Sequence, residues 1–399
     1  MNRPPPAGAL ERALHGSLVR LMQLERRVDP LVRPALDSLL REPLTRVVQA
    51  LIRLQPARVR ERPGEETPLP GEEACVDAIV RDMRDHMHRL YRPGEYERAG
   101  NTKTHGVVRA ELRVHDGLPE ALRHGLFATP RRYPAWVRFG GPGPASPPDI
   151  DDVGVLSLGV KVMDVPGPKL MDDERHTQDL TGISTPVFTT PDVIANAQLQ
   201  AMIRRGTPLW YFLRGHLLDS LMQALWSRTQ TSPLETGYWG CVPYRLGPEA
   251  VMQYQFRPLG DGPPRAVPGL PGRPSPNYLR EALAATLRTR DAAFELCVQR
   301  QVDARHTPIE NASVRWSERL SPPVPVATLH IPQQVFDSPA QLAFAHRLSI
   351  HPWHALEAHR PLGNQNRARR RIYEELSRLR QAMNGTPHVE PDGSETFDA

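Results

Sequence analysis

Cysteine is scarce: Cys75, Cys241 and Cys297 are the only three, widely spaced and without a CxxC pair. That excludes a disulfide scaffold and a cysteine-rich zinc site, and it reads as free thiols in a reducing compartment. Lysine is as rare, with only Lys103, Lys161 and Lys169, so arginine carries nearly all the positive charge. The excess over acidic residues is a formal +5 across 399 residues. With no zinc finger, RNA-binding aromatic motif or basic tail beside it, no nucleic-acid partner is expected. No run approaches the 18 apolar residues of a membrane-spanning helix. The first residues also lack the apolar stretch of a secretory signal, so a cytoplasmic location is expected. Aromatics make up only 6%, whereas proline reaches 43 and glycine 28. Such a chain disfavours helical repeats and coiled coils and favours a loop-rich fold with many tight connections.

Along the chain, residues 8–54 carry helical periodicity interrupted by prolines at 30, 34 and 43. Leu14, Leu18 and Leu21 share one face, and Val47, Val48, Leu51 and Ile52 form another apolar stripe. These helices suit packing on the main domain or on a second copy in a homo-oligomer. Peripheral contact with a membrane surface is the alternative. Residues 56–72 read as a linker, and a helix is expected over about 73–91. The domain division predicted is a helical extension and linker over 1–95, a core domain over 96–384, and a disordered acidic tail over 385–399.

Strand patterns begin near residue 100. In Val108–His115, Val108, Ala110, Leu112 and Val114 alternate with Arg109, Glu111, Arg113 and His115, a period of two. Further strands are predicted at 136–139, 153–165, 252–256, 294–298 and 326–331. Helices are predicted at 192–205, 208–226, 276–290 and about 366–382. Many antiparallel strands flanked by helices make an α+β fold built on a β-barrel.

The common catalytic signatures are missing. There is no HExxH or tight His/Cys cluster, Thr181–Thr185 lacks the GxSxG spacing, and proline interrupts the glycines at 140–143. The last helix offers more. Arg369, Tyr373 and Arg380 are spaced i, i+4, i+11 and share one helical face. Positive charge beside a phenol favours phenolate, an anionic axial ligand suited to ferric haem, and an arginine two turns on can reach an anionic propionate.

Taken in order, the motifs resemble those of the haem catalase superfamily, with some features like the catalase-related allene oxide synthases. Thr104-His105-Gly106 precedes a strand where catalases carry a distal histidine. Trp136-Val137-Arg138-Phe139-Gly140 resembles the "RFS" segment, and Gly159-Val160-Lys161-Val162 the "FAVKF" strand. Asp179-Leu180-Thr181-Gly182 with Thr185-Pro186-Val187-Phe188 is similar to "DLVGNNTPVFF", and Arg369-x-x-x-Tyr373 has the Arg-x-x-x-Tyr spacing of the axial tyrosine. The likeness spans roughly residues 100–382.

The resemblance implies a catalase-type antiparallel β-barrel binding haem b and acting on hydrogen peroxide or organic hydroperoxides. His105 would be the distal acid/base and Tyr373 the iron ligand. Arg369 would hold Tyr373 ionised, Arg138 and Arg380 would pair with propionates, and Phe188 would pack beside the haem. Where the family has its distal asparagine this chain has Ile183, followed by Ser184 as a shorter substitute; Thr102 stands where an arginine is usual. Thr104 directly before His105 is the allene-oxide-synthase-like feature, and with Ile183 it suits a fatty-acid hydroperoxide, isomerised or cleaved rather than reduced. A haem-binding protein without catalysis is a third reading, and His354 is an alternative axial ligand.

Overall fold

The computed structural model describes residues 7–260, 266–270 and 272–397. The chain opens with three helices, α1 (Ala9–Leu39), α2 (Arg41–Leu54) and α3 (Glu72–Leu90). Pro30 and Pro34 lie inside α1 and do not end it. A proline removes the amide that would bond the carbonyl four residues back. For Pro30 that carbonyl is Arg26 O, and Thr229 Oγ1 donates to it at 2.5 Å. The 56–72 linker is irregular but tied down: Arg367 holds Glu66, and Glu310 accepts the amide of Thr67 at 2.9 Å.

The strands then follow: β1 (Thr104–Val114), β2 (Arg132–Gly140), β3 (Ser157–Val162) and β4 (Gln178–Ile183). Helices α4 (Val193–Arg204), α5 (Leu209–Leu213) and α6 (Leu217–Trp226) separate them from β5 (Tyr238–Trp239), β6 (Tyr244–Leu246) and β7 (Ala250–Pro258). The single helix expected over 208–226 is split in two, at Gly215 with φ 100°. After α7 (Tyr278–Leu287) come β8 (Ala292–Arg300), β9 (Val324–Ile331), α8 (Pro339–Arg347) and α9 (Asn364–Asn384).

Every strand pairing is antiparallel, and the order β5-β4-β3-β2-β1-β9-β8-β7 closes through a β5–β7 pairing into an eight-stranded barrel, with β6 added beside β7. The alternation read in β1 decides its facing. Val108, Ala110, Leu112 and Val114 point inward and meet Phe139, Val160, Leu180, Phe256 and Phe294 in a filled core. Alternate residues face out, and two transverse rows of them matter below. One runs Arg138–Gly159–Thr181 across β2, β3 and β4, and the next runs Thr104–Gly140–Ser157–Ile183 from β1 to β4.

Residues 386–397 form no helix or strand but lie against the barrel; 398–399 lie outside the described residues. Glu390 accepts the amides of Arg175 and His176, Trp136 Nε1 donates to Glu395 at 3.0 Å, and Phe397 packs against Trp136 and Phe344. Trp136 faces outward from β2, so its large apolar surface needs a cover, and the tail provides it. Among the described residues no helix is long and apolar enough to cross a membrane.

Candidate functional site

The strand entrance that carries Thr104 and His105 is irregular. Pairing of β1 with β2 shifts between Thr104 and Gly106, so His105 is the extra residue of a β-bulge, a device that re-aims one side chain. Gly106 is required next to it, because a Cβ there would stand 2.5 Å from the Phe336 ring. Arg280 from α7 fixes the backbone, donating to Thr104 O at 2.7 Å and His105 O at 3.3 Å. Lys103 binds Asp149 at 2.6 Å and the carbonyls of Pro147 and Pro276. His105 itself is 1% exposed, and among the described residues neither ring nitrogen has a hydrogen-bond partner; Nδ1 lies 3.7 Å from Asp149 Oδ1, beyond bonding distance. Burial, and then the charges of Lys103, Arg138 and Arg280, push its pKa down to about 3. The imidazole is therefore neutral at working pH.

Beside it three arginines converge from distant parts of the chain. Arg138 donates to Thr104 Oγ1 at 2.7 Å and to Asn101 O at 2.8 Å. Arg380 from α9 bonds His346 O, and Arg98 donates to Ala345 O at 2.8 Å and also to Leu348 O. Burial and mutual repulsion lower Arg138 to about 10 and depress Arg98; burial lowers Arg380 to about 10. One carboxylate, Glu97, offsets all three. Burial disfavours its charge, but His346, bonded at 3.1 Å, and then Arg98 and Arg138 outweigh that and hold its carboxyl below the usual range. Arg98 Nη1 is shielded and unbonded. Three guanidiniums against one carboxylate is a surplus of buried positive charge, which is favourable when an anion is bound among them.

On α9, Arg369 donates to Tyr373 Oη at 3.1 Å and reaches Thr181 Oγ1 on β4 at 3.3 Å, in the same row as Arg138. Burial opposes the charge on Arg369, but Tyr373 and Tyr244 outweigh it and raise its pKa. Phe188 lies with its ring 5.8 Å from the Arg369 guanidinium, and the His351 ring is 5.4 Å from that of Tyr373. Both Phe188 and Tyr373 are half-buried.

His354 lies beside three acidic residues in this arrangement. Its Nδ1 is 2.9 Å from Asp179 and its Nε2 3.2 Å from Asp173, so both nitrogens are committed. Burial works against its charge, as does Lys161, yet Asp173, Asp179 and Glu174 raise its pKa to about 10. Glu174, Asp179 and His354 are close enough to hold a metal ion. Lys161 already supplies the cation: its fully buried Nζ bonds Glu174 and sits 2.8 Å from Asp179 Oδ1.

The sequence-predicted residues thus fall into two joined groups, Thr104, His105 and Arg138 with Arg380, and Arg369, Tyr373 and Phe188. Ser184 belongs to neither. Its Oγ accepts the Leu156 amide at 2.8 Å at the barrel rim. Ile183, on the row of Thr104, presents apolar surface instead. Arg98, Arg280 and the Lys103–Asp149 pair were missed. The arginine expected three residues before His105 is Thr102, but Arg98 supplies that positive charge from seven residues before. Its only sequence signal was an arginine just upstream of the strand entrance.

The donor set fits a haem: a tyrosine oxygen beside a fixed guanidinium, a buried histidine without partners, and surplus arginine charge for carboxylates. No protein-family model matches the chain, and no curated protein matches its sequence. Solved structures do. A bacterial catalase superposes with a TM-score of 0.54 at 14% identity, over 87% of this chain and 70% of its own. A fungal catalase gives 0.57 at 14% identity, over 86% and 70%. At that identity the likeness is one of architecture, and it establishes that this chain has a catalase-like fold.

Proposed function

We propose that the protein is a haem-dependent enzyme that consumes hydroperoxides, with hydrogen peroxide as the first substrate to try. The observation that carries this reading is His105: a buried, neutral, partnerless imidazole next to surplus arginine charge. Bound haem would supply the iron centre at which a peroxide O–O bond is cleaved. Tyr373 would hold the iron, and Arg369, which donates to its oxygen at 3.1 Å, would fix its orientation. Arg98, Arg138 and Arg380 would hold the two carboxylates of the cofactor. His105 would take the proton from the near oxygen of the substrate and return it to the leaving oxygen. The Arg138 contact occupies an acceptor position of Thr104 Oγ1 and fixes that side chain, which leaves its hydroxyl proton free to bond substrate.

Ile183 favours a second substrate, an organic hydroperoxide. It is half-buried and apolar on the row that begins at Thr104, where an amide would favour a small polar oxidant.

The test is the ultraviolet–visible spectrum of haem-reconstituted protein beside its Tyr373→Phe and His105→Gln variants, followed by turnover of hydrogen peroxide and of a fatty-acid hydroperoxide. The reading expects a ferric spectrum altered in Tyr373→Phe, and in His105→Gln an intact spectrum with turnover reduced by about 10²–10⁴. A wild type that binds no haem refutes it. Haem bound with equal turnover in the wild type and His105→Gln leaves a haem-binding protein in its place.

A further inference from the structure

We infer that α1 is a self-association helix that pairs side by side, in parallel, with α1 of a second copy. The evidence is the way the helix divides its faces. Its buried positions are His15, Arg26, Asp29 and Arg33, which hydrogen-bond the rest of the chain: Arg26 to Val153 O and Ser227, and Asp29 to the Thr229 amide at 2.6 Å. Leu10, Leu14, Leu21, Leu24, Val28 and Leu31 point the other way and are 45–80% exposed. A helix that merely packed on its own domain would have these faces reversed.

The exposed set has a defined period. With Ser17, the positions 10, 14, 17, 21, 24, 28 and 31 alternate steps of four and three, the a/d seam of a two-helix coiled coil. Val32, at a flanking position, is also exposed and widens the stripe toward its C-terminal end. Six such side chains expose roughly 600 Å², at the top of the ~300–600 Å² for the largest patch on a typical monomer and near the ~800 Å² per partner of a stable interface.

Charge complementarity selects the occupant and its direction. The seam is flanked on one side by Glu11, Leu18, Glu25 and Val32 and on the other by Ala13, Arg20 and Arg27; Glu11 is bonded to Arg205 at 3.1 Å and Arg27 to Gly272 O at 2.7 Å, so Arg20 and Glu25 carry the charge argument. In a parallel pair the g position faces the e position five residues further along the partner helix. Arg20 then meets Glu25 of the second copy, twice by symmetry. Antiparallel pairing would set arginine against arginine and glutamate against glutamate. A second copy satisfies the seam and its flanks together, which an anionic lipid surface does not.

The experiment is light scattering with size-exclusion chromatography on the full chain, wild type and Leu21→Glu/Leu24→Glu, with far-ultraviolet circular dichroism to confirm that both are folded. The expected wild-type mass is twice 44.8 kDa, and the variant raises the dissociation constant at least ~100-fold. Arg20→Glu weakens pairing about tenfold, and adding Glu25→Arg restores it. Because the native thiols are buried, Leu10→Cys, at one end of the seam, gives an oxidised cross-linked dimer only if the helices run parallel, since antiparallel pairing sets the two copies of residue 10 about 30 Å apart. A folded wild-type monomer at micromolar concentration overturns the inference. So does a monomer that sediments with phosphatidylserine vesicles, which assigns the seam to lipid, or a dimer indifferent to Leu21→Glu/Leu24→Glu.

Discussion

Replacing Lys161 by methionine tests the frame beneath the proximal half of the site. Lys161 is fully buried on the outer face of β3, and its ammonium joins Glu174 to Asp179. Methionine fills similar volume and removes the charge, leaving two buried carboxylates to share the His354 cation. Breaking a buried pair from one side costs about 3–5 kcal/mol, because the remaining charge stays desolvated. For a chain of this length that corresponds to a fall in the unfolding midpoint of about 4–6 °C. The effect should reach Tyr373, since Asp179 Oδ2 also accepts the His351 amide at 2.7 Å and the His351 ring lies against the tyrosine. Thermal unfolding by circular dichroism reads the first effect, and the haem spectrum of reconstituted protein reads the second. Combining Lys161→Met with Glu174→Gln should recover about half the loss, as one orphaned charge is removed. A Lys161→Met midpoint within ~1 °C of wild type would refute the reasoning, for it would mean water already reaches the cluster.

Other consequences follow from the same contacts. Stability should peak near pH 6.5. His105 and His351 are pushed to about 3 and His359 to about 4, chiefly by burial, so they contribute stability above the ordinary histidine pKa that is lost as pH falls toward those values. His354, raised to about 10, acts in the opposite sense: its contribution is complete below the ordinary pKa and declines as pH rises through 10. Denaturant titrations from pH 4 to 10 check the dome, and a profile flat between pH 4 and 6 contradicts it. Gly140→Ala should destabilise by about 1–3 kcal/mol, because the new Cβ would sit 2.7 Å from the backbone oxygen of Lys103, which cannot swing aside; an unchanged urea midpoint counts against this close approach. Thr229→Val should cost about 1 kcal/mol by leaving Arg26 O without the donor that Pro30 cannot supply, and an equally stable variant would show that water replaces it. Arg98→Gln should weaken haem retention by a factor of about ten while Tyr373 ligation persists; apomyoglobin capture kinetics measure this, and unchanged loss rates remove Arg98 from the cofactor site.

The barrel was legible because its strands obey a local rule. In β1 the alternation of Val108 to Val114 is enough to assign the inward face, and the same period holds in β7 and β8, where Tyr254, Phe256, Phe294 and Leu296 enter the core. Helix ends were read less well where neighbours outweigh propensity. Pro30 reads as a breaker until Thr229, two hundred residues away, caps the carbonyl it abandons. The tail's contact with Trp136, which it shares with Phe344 and Arg109, has no signal in its own charge and glycine content.

The candidate site divides along the same line. Arg369 and Tyr373 could be paired in advance because four residues on one helix are one turn, and a helix fixes that geometry without help from elsewhere. Arg98 could not. It lies in an irregular stretch, and its meaning depends on two other arginines, Arg138 and Arg380, that are separated from it by 40 and 282 residues. Only the folded chain shows that these charges share one carboxylate. Ser184 illustrates the converse. Along the sequence it stands beside the position of interest, but successive residues of a strand face opposite sides, so Ile183 points toward the Thr104 row while Ser184 turns to the rim and is taken by the Leu156 amide. A one-residue displacement along a strand therefore exchanges a polar distal surface for an apolar one. It is this parity, more than any single missing side chain, that favours organic hydroperoxides as the second substrate class.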